Sequence, residues 1–381
     1  MGKSFKSGGR GGIVKGDRQN MAFKKSTIYT GPGSHKDKKP QGALGSFISV
    51  FTDGWEALDK KKMAYGVPLA AAFAIAGLAA VKYIPLLPVG GAAVSRMLTE
   101  LLCLAVILVL NAVYAMVNKV EPEPADVNTQ TKGLGLGLLY GLICLGGLTA
   151  ILLMYSVLSF GSDAVPPDGL LLWAIALLAR AVMTEVFAHG IIYRGLRRDF
   201  NFAVAAIYAA VVFIALNWDT ASVSQYSFFT ILFASVFFSA AIDNSGTIVT
   251  SITTYYIWIC VGGMILGLVN LPADYPCMLK PSFSGSVLLT GGAARAEGSL
   301  ITLIINLMFC FSFYSMWVKK YQEEHEEAEA KAKARKNVAA DEPEAGKVRI
   351  GGRLYPNVET HIGQKTRYAR KSFFDKLKDL F

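Results

Sequence analysis

Four side chains set in long apolar runs could carry acid–base or ion-pair chemistry: Glu100, Arg180, Glu185 and His189. Glu185 and His189 are four residues apart, so a helix places them on one face, where a carboxylate and an imidazole can share a proton or offer two donors to a metal. A charged group in hydrocarbon is costly and has to have a partner or a function. Two donors fall short of a metal site, and the other three histidines lie outside the apolar runs, so neither a metal nor a cofactor is expected. The simplest arrangement is structural: Glu185 and His189 as a hydrogen-bonded pair that fixes helix packing, and Glu100 bridging to Arg180 as an intramembrane ion pair.

Membrane helices have to position these groups. The chain has 381 residues, 53% of them hydrophobic and 17% charged, with a mean hydropathy of +0.40. The apolar residues fall in uncharged runs of about 20, the length that crosses a bilayer, which excludes a water-soluble globular protein. Spans are expected at 64–82, 97–118, 134–160, 169–193, 202–217, 226–242, 247–269 and 299–318, with the fifth and sixth short. The fold class is therefore an all-α polytopic membrane protein of about eight transmembrane helices with terminal extensions.

Charge is concentrated at the two ends. Residues 1–62 hold 13 Lys/Arg against 5 acids, residues 319–381 hold 15 against 11, and the long middle holds 10 against 12. By the positive-inside tendency both termini are expected in the cytoplasm. The short loops agree in sign, with Lys119, Lys132, Arg194, Arg197 and Arg198 on the inner side and Arg96, Lys280 and Arg295 on the outer. The opening MGKSFKSGGRGG has no apolar core of a secretory signal, so no cleaved signal is expected and a prokaryotic inner membrane is favoured. Five cysteines, at 103, 144, 260, 277 and 310, have no CxxC or Cys/His spacing, so no disulfide framework or zinc cluster is expected.

The domain plan follows. Residues 1–42, rich in Gly, Lys, Ser and Pro, read as a disordered basic arm. Residues 43–62 read as an interfacial amphipathic helix, with Phe47, Phe51 and Trp55 on an aromatic stripe and Lys60, Lys61 and Lys62 at the headgroups. Residues 63–318 form the transmembrane domain. Residues 319–381 form a charged cytoplasmic tail: a helix with Glu327 and Lys331 in the favourable i, i+4 order, a small hairpin around Gly351 and Gly352, and a docking segment with Phe374, Leu377 and Phe381 on one face.

The run AVMTEVFAHGIIYRGLRRDFNFAVAAIYAAVVFIALNW, followed by FASVFFSAAIDNSGTIVTSITTYYIWI, resembles the CPBP family, the intramembrane proteases that include type II CAAX prenyl endopeptidases and bacteriocin-processing proteins. The likeness covers roughly residues 169–269, a CPBP-like helical core. The family has EExxxRG at the end of one span, FxxxH in the next, and a Gly-Ser turn before a helix bearing HxxxN. Here Arg194 and Gly195 match the arginine-glycine, which puts His189 and Gly190 at the two glutamate positions. Phe213 is kept, but Asn217 stands at the histidine position, and Tyr255 and Ile259 fall near the HxxxN positions.

The family's chemistry, as the resemblance implies it, is water activated by a glutamate and oriented by histidines, which requires an anionic base and free imidazoles. These positions supply neither, and Glu185 lies about 6 Å along the helix axis from the family's glutamate position. The reading is a catalytically inactive relative, a pseudoprotease by sequence, expected to serve as scaffold or recognition subunit of a membrane-associated complex. Its expected partners are membrane lipids and other membrane or cytoplasmic subunits in a hetero-oligomer, bound by the basic tails, with a partner helix or a lipid in the former active-site cavity. A divergent protease using Glu185 and His189, with Asn217 and Tyr255 as oxyanion donors, is the alternative. A small transporter or channel is a further one, from the Gly-rich third span and the Gly/Pro-rich segment near 272–298 as a re-entrant lid. No RNA-binding motif is present, so nucleic acid is not expected as a partner.

Overall fold

The computed structural model describes residues 60–118, 126–161, 167–197, 200–272, 274–313 and 315–316, and the backbone of 347–350 and 353–356. The expected aromatic stripe (Phe47, Phe51, Trp55), the charged helix of the tail and the docking residues Phe374, Leu377 and Phe381 lie outside the described residues. Contacts divide the chain into two units, Met1–Tyr314 and Ser315–Phe381. In the second, β3 (Lys347–Ile350) pairs antiparallel with β4 (Arg353–Pro356), Ile350 opposite Arg353, the pairing expected around Gly351 and Gly352.

Among its described residues the first unit is an integral membrane bundle that has, besides short turns of helix in the loops, eight main helices. They are α1 (Lys60–Tyr83), α2 (Ala92–Val117), α3 (Val127–Met154), α4 (Leu170–Arg197), α5 (Phe202–Leu216), α6 (Gln225–Ser245), α7 (Val249–Ile265) and α8, which covers residues 300–313. Six are long and apolar enough to cross a membrane, α8 together with the turn before it, while α5 and α7 are shorter. Large side chains such as Val109, Leu142 and Val211 are more than half exposed on the outer faces, the pattern of a surface solvated by lipid. Lys60, Lys61 and Lys62 form the first described turn of α1.

Local chemistry explains where the helices start and stop. Helix α3 begins earlier than the expected 134 because Asp126 caps it, its carboxylate accepting from the N–H groups of Asn128 and Thr129. Those bonds, the Thr129 hydroxyl foremost, hold the Asp126 carboxyl below its ordinary value. The sixth helix is not short: Ser224 and Ser227 form a capping box at its start, and the helix runs through Asp243 and Asn244 until Gly246 turns left-handed at φ 75°. The seventh is short instead, because the chain turns at Gly267, φ 69°, right after π-helical turns over Trp258–Ile265.

Glycines on α3 set its distance from α7. Gly133, Gly137 and Gly141 recur every four residues and are buried; a Cβ on Gly137 would lie 2.6 Å from the Thr250 carbonyl oxygen. Backbones therefore touch, and the Thr254 hydroxyl donates across to the Gly137 carbonyl at 3.2 Å. On the other side of the bundle α2 packs along α4 with Glu100, Cys103, Ile107 and Tyr114 inward. The expected lid segment is pinned. Its strand β2 (Pro281–Phe283) pairs with β1 (Leu158–Phe160), and Ser284 adds a bond from its N–H to the Val157 carbonyl.

Candidate functional site

Helix α4 carries most of the buried charge. It is α-helical from Leu170 to Glu185, π-helical from Val186 to Tyr193, and α-helical again from Arg194 to Arg197. Such π turns cost hydrogen-bond geometry and are found mostly where a helix has to present particular side chains. Here Glu185 and His189 flank the transition, both fully buried. His189 Nδ1 lies 2.9 Å from Glu185 Oε2. The contact is off the line of a good hydrogen bond, so both carboxylate oxygens and Nδ1 are without an aligned partner.

The other imidazole nitrogen faces α6. Nε2 lies 3.1 Å from the Ser235 carbonyl oxygen and 3.2 Å from its hydroxyl. If Nε2 carries hydrogen it donates to the carbonyl, and if not it accepts from the hydroxyl. In either tautomer Nε2 is engaged by Ser235, while Nδ1 lies beside the Glu185 carboxylate without an aligned hydrogen bond. Around them stand Phe213 and Phe238, each ring centroid 5.9 Å from that of His189.

Those two phenylalanines are a shared wall. Their far sides face Tyr255, at 5.4 and 6.0 Å between centroids. Tyr255 donates its hydroxyl to Asn217 Oδ1 at 3.0 Å, and Asn217 Nδ2 donates to the Phe213 carbonyl at 2.9 Å, closing the end of α5. Asn217 and Tyr255 line a partly open recess together with Trp258, Glu297 and Asn306. His189 and Glu185 do not line it. The structure thus brings together Glu185 with His189, and Asn217 with Tyr255, as two pairs separated by aromatic rings.

Arg194 donates to the Gly246 carbonyl at 3.2 Å and Arg197 to Asp243 at 2.9 Å, so both tie the end of α4 to the turn between α6 and α7. Gly195 is needed there, because a Cβ would meet the Tyr114 hydroxyl at 2.4 Å. Elsewhere on α4, Arg180 reaches Glu100 at 3.4 Å. Glu100 is also 3.6 Å from Arg96 and accepts from the Tyr275 hydroxyl at 3.0 Å, while Arg96 pairs with Asp274. Burial, and then the Glu100 carboxylate, push the Tyr275 phenol well above its ordinary range. This network fastens the segment after α7 to α2 and α4.

Sequence reasoning missed Ser235, Tyr275, Trp258 and Glu297. Ser235 sits in an apolar run and Tyr275 in a loop, so nothing local marks them as partners of His189 and Glu100. Glu297 was legible as an acid at the entry to a span. Among the described residues no three His, Cys, Asp or Glu side chains come together as a metal site, and Glu185 with His189 supply two donors. No curated protein and no solved structure matches the chain. Residues 166–261, about a quarter of the chain and the stretch that carries Arg180, Glu185, His189, Asn217 and Tyr255, match the family model described as type II CAAX prenyl endopeptidase Rce1-like.

Proposed function

We propose that this protein is a non-proteolytic relative of the Rce1-like membrane proteases that works as a scaffold or recognition subunit of a membrane complex. One observation carries the reading: the only imidazole among the described residues is sealed, with Nδ1 against the Glu185 carboxylate, Nε2 on Ser235, and phenylalanine rings between it and the cavity. Hydrolysis needs a base with a free lone pair within reach of a water and a substrate carbonyl. The motif positions add support, since His189, Gly190, Asn217, Tyr255 and Ile259 stand where the family has glutamates, histidines and asparagine.

Recognition then falls to the ends and the cavity. The terminal regions carry net charges of +8 and +4, suited to anionic headgroups or acidic partner surfaces. The cavity offers a partly open, aromatic-lined recess to a lipid group or a side chain of a partner helix. In this reading the protein sits in a prokaryotic inner membrane with both termini in the cytoplasm. The test is native purification through an internal tag with stoichiometric mass analysis, beside a cleavage assay on prenylated peptides. A partner at fixed ratio, lost when residues 319–381 are removed, with no cleavage, is expected. A monodisperse protein without partners, or one that cleaves, overturns it.

A divergent protease is a second reading, favoured by the 2.9 Å approach of Glu185 to His189 and by carboxylate oxygens without aligned donors. It requires Phe213 and Phe238 to swing aside. Cleavage abolished by Glu185→Gln would establish it, and an inactive wild type ends it.

A further inference from the structure

The cavity beyond the phenylalanine wall has a composition that selects one kind of ligand. Five aromatic rings line it, Phe213, Phe237, Phe238, Tyr255 and Trp258, with one acid, Glu297, and no Lys, Arg or His. Glu297 uses its two oxygens separately. Oε1 accepts from Trp258 Nε1 at 3.3 Å and Oε2 from the Asn270 N–H at 3.2 Å. Among the described residues no cation forms an ion pair with it; Arg295, two residues away, donates instead to the Gly267 carbonyl at 2.9 Å.

Two further oxygens on the lining can accept. Thr230 lines the cavity, is 2% exposed, and its hydroxyl has no partner. Tyr255 gives its hydrogen to Asn217, which leaves its oxygen to accept. A carboxylate without an ion-pair contact among the described residues, spare acceptors and the electron-rich faces of aromatic rings disfavour anions and attract a cation whose own hydrogens or methyl groups can spread over the rings.

We propose that this cavity binds an organic ammonium group, with its charge beside Glu297 and its carbon atoms against the rings. The group can arrive as the amino headgroup of a membrane lipid or as a free amine, and the chemistry of the site is the same for both. The inference rests on the cavity being a binding pocket, as in the reading above, and is independent of whether the protein cleaves peptides or holds partners.

The probe is choline, with 3,3-dimethyl-1-butanol as its uncharged isostere, titrated by calorimetry into the full chain held in phosphatidylglycerol nanodiscs. Choline is expected to bind saturably and at least tenfold more tightly than the alcohol, and Glu297→Gln to lower choline affinity at least tenfold without lowering the melting temperature. Should that variant fail to fold, Trp258→Phe keeps an aromatic ring and is expected to narrow the choline-to-alcohol ratio severalfold. Repeating the titration in phosphatidylethanolamine nanodiscs separates the sources: choline binding suppressed there assigns the site to a lipid headgroup, and binding unchanged assigns it to a free amine. Equal binding of choline and the alcohol, full choline affinity in Glu297→Gln, or no saturable choline binding in phosphatidylglycerol overturns the proposal. None of these results depends on co-purification or cleavage, so the cavity and the scaffold reading fail separately.

Discussion

Two polar pairs lie on opposite sides of Phe213 and Phe238, and they have opposite fates. Glu185 and His189 are fully enclosed, face each other at 2.9 Å, and reach out of the pair only through His189 Nε2 to Ser235. Asn217 and Tyr255 bond to each other, yet they face a cavity. Ionisable groups in a low-dielectric interior are held by pairing, and a pair walled in by packed rings is out of reach of a substrate. Neutral groups are cheaper to leave beside open space. The comparison therefore separates a buried ionisable pair packed between helices from a neutral pair beside open space. Under the reading proposed above, the one is placed to hold α4 and the other to meet a ligand.

The sharpest way to break that contrast is to unpair His189. Glu185→Leu leaves an imidazole facing hydrocarbon and is expected to destabilise the bundle by about 3–5 kcal/mol, read from unfolding in mild detergent. Adding His189→Leu should recover most of the loss, since an apolar pair of similar volume needs no partner. A single variant as stable as wild type would mean the pair does not hold α4. Next in size is Glu100→Gln, which weakens the contacts of Glu100 to Arg180, Arg96 and Tyr275 and is expected to cost about 1.5–3 kcal/mol. It should also raise proteolysis of the segment after α7 while sparing the α6–α7 turn.

Tyr255→Phe on the cavity side removes one neutral hydrogen bond and is expected to cost only about 1 kcal/mol. If it cost as much as Glu185→Leu, the division between holding and recognition would fail. The smallest effect is at Asp126, whose carboxyl is held low in the folded state by Thr129 and backbone N–H groups. Its contribution is present above the unfolded carboxyl value of about 3.9 and is lost as pH falls through the lower folded value. A thermal melt at pH 5 and at pH 3 should show a slightly larger acid-side loss in wild type than in Asp126→Asn.

Much of the bundle is legible from residue pattern. Apolar run length locates the eight main helices among the described residues, the i, i+4 spacing joins Glu185 to His189, and glycines at 133, 137 and 141 mark a close helix contact. Helix ends are harder because caps decide them: Asp126 draws α3 toward its N-terminal side, and Ser224 and Gly246 stretch α6. Partners distant in sequence leave no local trace. His189 meets Ser235 across 46 positions, and Glu100 meets Tyr275 across 175. Carboxylates attract attention in an apolar run, whereas a serine carbonyl that closes an imidazole does not.

The π-helical turns of α4 carry one more consequence, for the helical phase of everything that follows them. Each residue of an α-helix advances the chain by about 100°, so deleting one residue between Val186 and Tyr193 would let the segment relax toward α geometry or rotate what lies beyond it. Rotation on that scale would swing Arg194 and Arg197 off Gly246 and Asp243 and drive a side chain into the slot that Gly195 keeps open for Tyr114. The end of α4 is thus indexed by the count of residues in the π stretch, and its length tolerates change less than its apolar identities do.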